Sequence, residues 1–187
     1  MDEFSYLSVL LSIILGLAVT QILKGFRALL LSRARVRLYW PAIAWAFLLL
    51  VIYVQTWWAS FGLRTHHDWT FTGFAIVLLQ TALLYMMAGL VFPDFFGVDV
   101  VDLRENYFAH RGWFFGIAVT SALVSLAKDV VLSGHLPERS NVAFHVVFVI
   151  LGVSCAVTAR EVFHKAAIVF AYILFASYIA LLFSHLS

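Results

Sequence analysis

Six long apolar segments, separated by short polar ones, make up most of this 187-residue chain. They cover approximately residues 4–31, 40–62, 71–92, 112–133, 141–158 and 163–185. Most of these segments reach the length of about 20 residues that an α-helix needs to cross a bilayer. The prolines, at positions 41, 93 and 137, fall at or just outside segment ends, where a missing N–H group costs little. The pattern therefore predicts an all-α, polytopic bundle of six transmembrane helices.

The composition also favours the bilayer as solvent. Hydrophobic residues make up 64% of the chain and charged residues 12%, about half the roughly 25% charged content of soluble domains. We therefore expect residues 1–187 to form a single transmembrane domain in contact with lipid. The first segment is preceded by acidic Asp2 and Glu3, whereas a cleavable signal peptide begins with positive charge, so we expect this segment to be retained. The few basic residues form no surface suited to nucleic acid.

The distribution of lysine and arginine predicts the orientation. With the N-terminus outside, nine of these residues fall in or beside inside connections and three on the outside. The inside set is Lys24, Arg27, Arg33, Arg35, Arg37, Arg104, Arg111, Arg160 and Lys165, and the outside set is Arg64, Lys128 and Arg139. Because basic residues accumulate on the cytoplasmic side of membrane proteins, we expect both termini to lie outside.

A short sequence match relates the two halves of the chain. Gly-Leu-Ala-Val-Thr at 16–20 recurs as Gly-Ile-Ala-Val-Thr at 116–120. Two inverted three-helix repeats, 1–93 and 112–187, joined by an interfacial cytoplasmic segment 94–111, would explain this match, and many transporters are built in this way. The alternative is chance, because the same few apolar residues dominate every segment.

Small residues recur at four-residue spacing in the first and fourth segments. The two stripes are Ser8, Ser12, Gly16 and Thr20, and Gly112, Gly116 and Thr120. Helices in lipid associate through such small side chains because their backbones can then approach closely. The stripes predict helix-packing seams, either within the bundle or against a second copy or another membrane protein. A face that lines a solute path is the alternative.

Polar side chains at membrane depth are costly and usually functional. The residues that we assign to a polar path for a small solute or ion are Thr20, Gln21, Gln80 and Thr120. Lys128 and Asp129 are adjacent near the end of the fourth segment. Neighbouring helical residues point about 100° apart, so we expect these two to pair with other helices rather than with each other. No segment carries a carboxylate near its centre, which counts against a proton-coupled carrier.

The segment 94–111 carries the densest group of polar residues. From Val98 onward its apolar positions can form one face of a helix in the membrane interface. We expect a polar cluster at the cytoplasmic mouth of the bundle, formed by Asp102, Tyr107, His110 and Arg111. The alternative is a solvated polar edge that anchors the chain in the interface.

The stretch Asp-Leu-x-x-x-Tyr-Phe-x-His-Arg at 102–111, together with Phe-Ser-Tyr-Leu-Ser-Val at 4–9 and the motif at 16–20, resembles a group of small bacterial polytopic membrane proteins. The resemblance implies a location in the bacterial inner membrane. It implies no activity and no site residue.

The seven histidines raise the question of a cofactor. Facing pairs suitable for haem would be His110 with His164, or His145 with His185. Hydrolase, zinc-protease and phosphate-loop motifs are missing from the sequence, so we expect no catalytic residue, no metal site and no cofactor, with haem as an alternative.

Three functions compete at this point. The first is translocation of a small solute or ion, which predicts a water-accessible cavity between the polar faces of the helices. The second is a non-catalytic subunit or scaffold that packs against a partner and has a dry interior. The third is a haem-binding redox subunit.

Overall fold

A computed structural model describes residues 3–93 and 100–182, which form six long α-helices. These are α1 (Glu3–Leu31), α2 (Trp40–Ser60), α3 (Phe71–Val91), α4 (Leu103–Ser133), α5 (Arg139–Val157) and α6 (Glu161–Leu182). By length and composition all six are able to cross a membrane. The prediction of an all-α, six-helix integral membrane protein is therefore confirmed.

Local sequence signals set several helix ends. The Thr70 hydroxyl accepts the Gly73 N–H at 3.1 Å and caps α3, as Ser and Thr commonly do at N-caps. The Asp102 carboxylate accepts the N–H groups of the first turn of α4, at 2.8 and 3.2 Å. Gly134 ends α4 in a left-handed conformation with a φ of 75°, which favours glycine because it has no Cβ.

Helix α4 begins earlier than the sequence pattern predicted. We placed the start of this span at residue 112, whereas the helix begins at Leu103. Its first turns carry buried Leu103 and Tyr107 in line with buried Phe114, so they continue the buried face of the span. Residues 103–111 of the predicted interfacial segment therefore belong to α4, and residues 94–99 lie outside the described residues.

The helices are arranged around a central region. Neighbours around the bundle are α1, α3, α4, α5, α6 and α2, and α2 also contacts α3 and α4. Helix α1 packs closely along α3, whereas no comparable α4–α6 contact is found in the described part of the chain. The inverted repeat that would relate these two pairs is therefore not apparent.

The glycines that bring helices together are not those of the small-residue stripes. A Cβ on Gly25 would overlap the ring of Phe92, and one on Gly152 would lie 2.7 Å from Val119 Cγ2. By contrast, a Cβ on Gly16 or on either stripe glycine of α4 would meet no described atom within 4 Å. The stripe glycines thus face outward and make no close contact within the bundle, although Ser12 of the α1 stripe accepts a hydrogen bond from Trp57 Nε1 of α2 at 3.3 Å.

A short parallel pairing joins two connections at one end of the bundle. Strand β1 (Val36–Arg37) pairs with β2 (Val101–Asp102). Arg37 and Asp102 also approach to 3.8 Å as an exposed ion pair, which contributes little stability by itself. The pairing holds the α1–α2 connection beside the start of α4.

Candidate functional site

The two ends of the bundle differ in chemistry. We call the basic end the one formed by the α1–α2 connection, the start of α4 and the α5–α6 connection. The N-terminal end is formed by the start of α1 and by the α2–α3 and α4–α5 connections. The described residues form at least three cavities between these ends.

A polar cavity of about 280 Å³ lies near the N-terminal end and is lined by all six helices. Its polar lining consists of Gln55, Thr56, Ser60, Gln80, Thr81, Ser125, Lys128, Asp129, Asn141 and Tyr178. A polar group inside the membrane costs free energy when neither water nor a protein group forms a hydrogen bond with it. A space lined by so many polar groups favours an occupant that can form hydrogen bonds, such as water or a polar solute.

An ion pair lies in the wall of the polar cavity. Lys128 Nζ lies 3.7 Å from Asp129 Oδ1, and Asn141 Nδ2 lies 3.5 Å from Asp129 Oδ2. We predicted that Lys128 and Asp129 would pair with other helices rather than with each other. Asp129 does contact Asn141 of α5, but it also pairs with Lys128, because a long lysine side chain can bend across the angle between neighbouring helical positions. Asn141 Oδ1 is buried without a described hydrogen-bond partner.

An apolar chamber of about 160 Å³ adjoins the polar cavity. The two spaces share part of their lining, namely Gln55, Thr56, Gln80, Ser125 and Tyr178. The rest of the chamber is mainly aromatic and aliphatic, with Trp45, Phe115, Phe148 and Phe175 among its walls. The chamber extends toward the basic end, because Trp45 lies in the second turn of α2.

Trp45 separates the apolar chamber from a third, smaller cavity. The indole ring packs edge-on against Phe115, with 5.2 Å between the ring centroids. Beyond it lies a space of about 10 Å³ that Trp45 lines together with Tyr107, His110 and Arg111. Such a volume holds about one water molecule. Arg111 Nε is buried without a described partner, so this space suits a polar occupant.

A hydrogen-bonded chain closes the basic end. The Tyr107 hydroxyl lies 2.8 Å from His164 Nδ1, and His164 Nε2 lies 2.8 Å from the Thr158 carbonyl oxygen. This arrangement is satisfied by a neutral ring with its proton on Nε2, which donates to Thr158 while Nδ1 accepts from Tyr107. His164 is fully buried. These two hydrogen bonds link α4 to α6 and to the α5–α6 connection.

Ion pairs surround the outer rim of this closure. Glu161 accepts from Arg104 at 2.8 Å and lies 2.7 Å from Lys165. Tyr39, immediately before α2, is buried beside them. Burial, together with the negative charge of Glu161, raises the pKa of Tyr39 to about 12, and the Arg104 guanidinium opposes this shift. Tyr39 is therefore neutral at physiological pH.

The predicted polar path meets the cavities at one residue. Gln80 lines both the polar cavity and the chamber. Thr20 and Thr120 lie on the exposed surface, where each hydroxyl donates to the carbonyl four residues earlier, at 2.7 and 2.9 Å. Gln21 is half-buried and lies outside the lining of the three cavities. A threonine hydroxyl that donates to a carbonyl of its own helix can face lipid. The depth of a threonine in the membrane therefore does not show whether its side chain faces the cavities or the lipid.

The predicted cytoplasmic-side cluster is brought together in part. Tyr107, His110 and Arg111 line the small cavity at the basic end. Asp102 instead caps α4 and faces Arg37. Three of the four predicted residues therefore line the cavity nearest the basic end, and Asp102 stabilises the start of α4 beside them.

Sequence reasoning missed several lining residues. Ser121, Ser125 and Asp129 follow one another at four-residue spacing on α4, and all three line the polar cavity or the chamber. Residues at this spacing lie on one face of a helix, so the sequence could have predicted that these three side chains share one polar face. Asn141 and Trp45 carried no comparable signal, because an isolated polar or aromatic residue near a span end is common.

The histidine pairs that we considered for haem are His110 with His164 and His145 with His185. Both ring nitrogens of His164 are already hydrogen bonded, so iron ligation there would require one of these bonds to break. His145 is buried beside the chamber, whereas its predicted partner His185 lies outside the described residues. Within 3–93 and 100–182, no group of three His, Cys, Asp or Glu side chains is placed to hold a metal ion.

The six helices define the class of this chain as an integral membrane protein. No known protein family, curated protein or solved structure matches the chain. The cavities and the residues that line them are therefore the features that bear on its function.

Proposed function

We propose that this protein translocates a small polar solute through the centre of its helical bundle. The observation that carries the proposal is the polar cavity of about 280 Å³, lined by all six helices and adjoining the apolar chamber. A translocating protein needs such a space, whereas a scaffold subunit is expected to have a dry, closely packed interior. The cavity therefore favours the first of the three candidate functions.

The length of the interior spaces supports a path across the membrane. Gln55 lines the polar cavity and Trp45 the far end of the chamber, and both lie on α2. Ten residues of helix separate them, which corresponds to about 15 Å, half of a hydrocarbon core of about 30 Å. The remaining barrier at the basic end includes Trp45, Phe115 and the Tyr107–His164 pair.

The proposal includes a location and an assembly. We place the protein in a bacterial inner membrane with the N-terminal end outside, as the distribution of lysine and arginine favours. In this orientation the polar cavity lies on the outer side. The outward-facing small residues of α1 and α4 suit contact with a second copy or another membrane protein.

A thiol-labelling experiment tests whether water reaches the proposed path. With Cys155 replaced by alanine, single cysteines are introduced as Ser125→Cys, which lines both spaces, and Leu123→Cys, which is 52% exposed on the outer surface of α4. The two positions differ by about 3 Å in height and point about 200° apart. A membrane-impermeant cationic thiol reagent should modify Ser125→Cys much faster, because a thiol facing lipid does not ionise.

Liposomes test the translocation itself. Vesicles that contain the purified protein are loaded with a mixture of inorganic ions, polyols, sugars and amino acids, and efflux is followed by mass spectrometry. We expect at least one solute to leave faster than from protein-free vesicles. Modification should slow that efflux for Ser125→Cys and not for Leu123→Cys. Efflux of every solute at the protein-free rate would refute the proposal.

A further inference from the structure

We propose that the solute is a small zwitterion with a bulky apolar group, such as an amino acid with a phenyl or isobutyl side chain. Its charged groups would bind Lys128 and Asp129 in the polar cavity, and its apolar group would enter the adjoining chamber. This inference rests on the proposed function and specifies the substrate class of the same site.

The charges of the polar cavity match a zwitterion. Lys128 and Asp129 are the charged residues among the described residues that line it, and together they carry no net charge. A solute with a net charge would leave one side of this pair unbalanced at membrane depth, which is costly. A carboxylate beside Lys128 and an ammonium beside Asp129 leave both balanced.

The ion pair retains capacity for a ligand. Its separation of 3.7 Å exceeds the roughly 2.7–2.9 Å of a direct charge-assisted hydrogen bond. The lysine ammonium has three donors, so a ligand carboxylate can bind without displacing Asp129. The side chains of Lys128 and Asp129 are 22% and 28% exposed, and both line the cavity.

A second acceptor serves the ligand's ammonium group. Asn141 donates to Asp129 through Nδ2, while its Oδ1 is buried and has no described partner. An ammonium next to Asp129 would supply the missing donor. The amides of Gln55 and Gln80 line the same space and can complete the hydrogen bonding of both charged groups.

The apolar chamber has a suitable size for the remainder of the ligand. Its volume of about 160 Å³ is close to that of a protein cavity, about 150 Å³, that binds benzene. Aromatic residues, including Phe148 and Phe175, form much of its wall. Burial of a phenyl or isobutyl group there should tighten binding roughly 10- to 100-fold relative to glycine.

Ligand protection of Ser125→Cys against the cationic thiol reagent tests the inference on the full-length protein. L-Phenylalanine and L-leucine should protect the thiol at concentrations roughly 10- to 100-fold lower than glycine. Phenethylamine, which lacks the carboxylate, and 3-phenylpropionate, which lacks the ammonium, should protect poorly. Equal protection by L-phenylalanine and phenethylamine, or by L-phenylalanine and glycine, would overturn the inference.

Charge-neutralising variants give an independent result. Lys128→Met leaves Asp129 unbalanced and should shift the preference toward phenethylamine, whereas Asp129→Asn should shift it toward 3-phenylpropionate. If a variant does not fold, the ligand series on the Ser125→Cys protein still decides. A fast efflux of sugars or inorganic ions without protection by any zwitterion would overturn the substrate class and leave the proposed function intact. A thiol at 125 that never reacts, with no efflux, would refute both.

Discussion

Replacement of Gly152 by alanine should weaken the contact between α4 and α5. A Cβ at this position would lie 2.7 Å from Val119 Cγ2, well inside the separation of about 3.5–4.0 Å that is optimal for two carbon atoms. Val119 is unable to turn aside freely, because a β-branched side chain in a helix has one strongly preferred χ1 rotamer. The two helices would therefore have to move apart.

The magnitude follows from two opposing contributions. Overpacking typically costs about 1–3 kcal/mol, whereas glycine to alanine in a helix gains about 0.8–1.0 kcal/mol. Gly89→Ala in α3 is the matched control, because a Cβ there meets no described atom within 4 Å. Both variants make the same chemical change in a helix, so the helix-propensity gain cancels. Their difference should be the overpacking cost of about 1–3 kcal/mol.

Thermal unfolding of the detergent-purified variants, followed by far-ultraviolet circular dichroism, measures this difference. At about 2–4 °C per kcal/mol for a chain of this size, Gly152→Ala should melt roughly 2–12 °C below Gly89→Ala. Light scattering of each sample confirms that the compared species have the same mass. If the two variants melt together, Val119 yields without cost, and Gly152 does not set the distance between α4 and α5.

Three further predictions concern the basic end and the orientation. Tyr107→Phe leaves a buried imidazole nitrogen without its donor and should destabilise the protein by about 1–3 kcal/mol. Tyr53→Phe should cost less stability, about 0.5–1.5 kcal/mol. The carbonyl that accepts the Tyr53 hydroxyl, at 2.9 Å, lies within α3 and keeps its helical N–H donor when the hydroxyl is removed. Equal melting temperatures of Tyr107→Phe and Tyr53→Phe would contradict this ranking. The raised pKa of Tyr39, about 12 against about 10 for an unperturbed tyrosine, means that the unfolded state loses this proton first. Stability should therefore fall between pH 10 and 12, and Tyr39→Phe should show less of this fall in pH-dependent melting. With Cys155 replaced, His135→Cys should react with an impermeant reagent added outside intact cells and Arg35→Cys should not; the opposite result would invert the predicted topology.

Helix number and most helix bounds were predictable because they depend on local features. A span must cross a bilayer of fixed thickness, and polar residues or prolines interrupt the apolar sequence where it leaves the bilayer. The start of α4 was misplaced for a related reason. The polar residues after Asp102 resemble an interfacial segment, while Leu103 and Tyr107 provide a buried face that only the packed bundle uses.

The site was only partly predictable because depth in the membrane does not fix direction around a helix. Gln80 and Thr120 both lie well inside their spans, yet Gln80 faces the cavities and Thr120 faces outward. The small-residue stripes show the same limit. Gly16 faces outward, while Gly152, outside any stripe, supports a close helix contact. Which face turns inward depends on all six helices together.

The neutrality of the Lys128–Asp129 pair has a consequence for energetics across the membrane. Each elementary charge that crosses a potential of 100 mV gains or loses about 2.3 kcal/mol. A site with no net charge favours a solute with no net charge, and a zwitterion that crosses the membrane alone carries no current. The voltage then neither drives nor resists its movement, and under the proposed function the rate should be the same in polarised and depolarised vesicles.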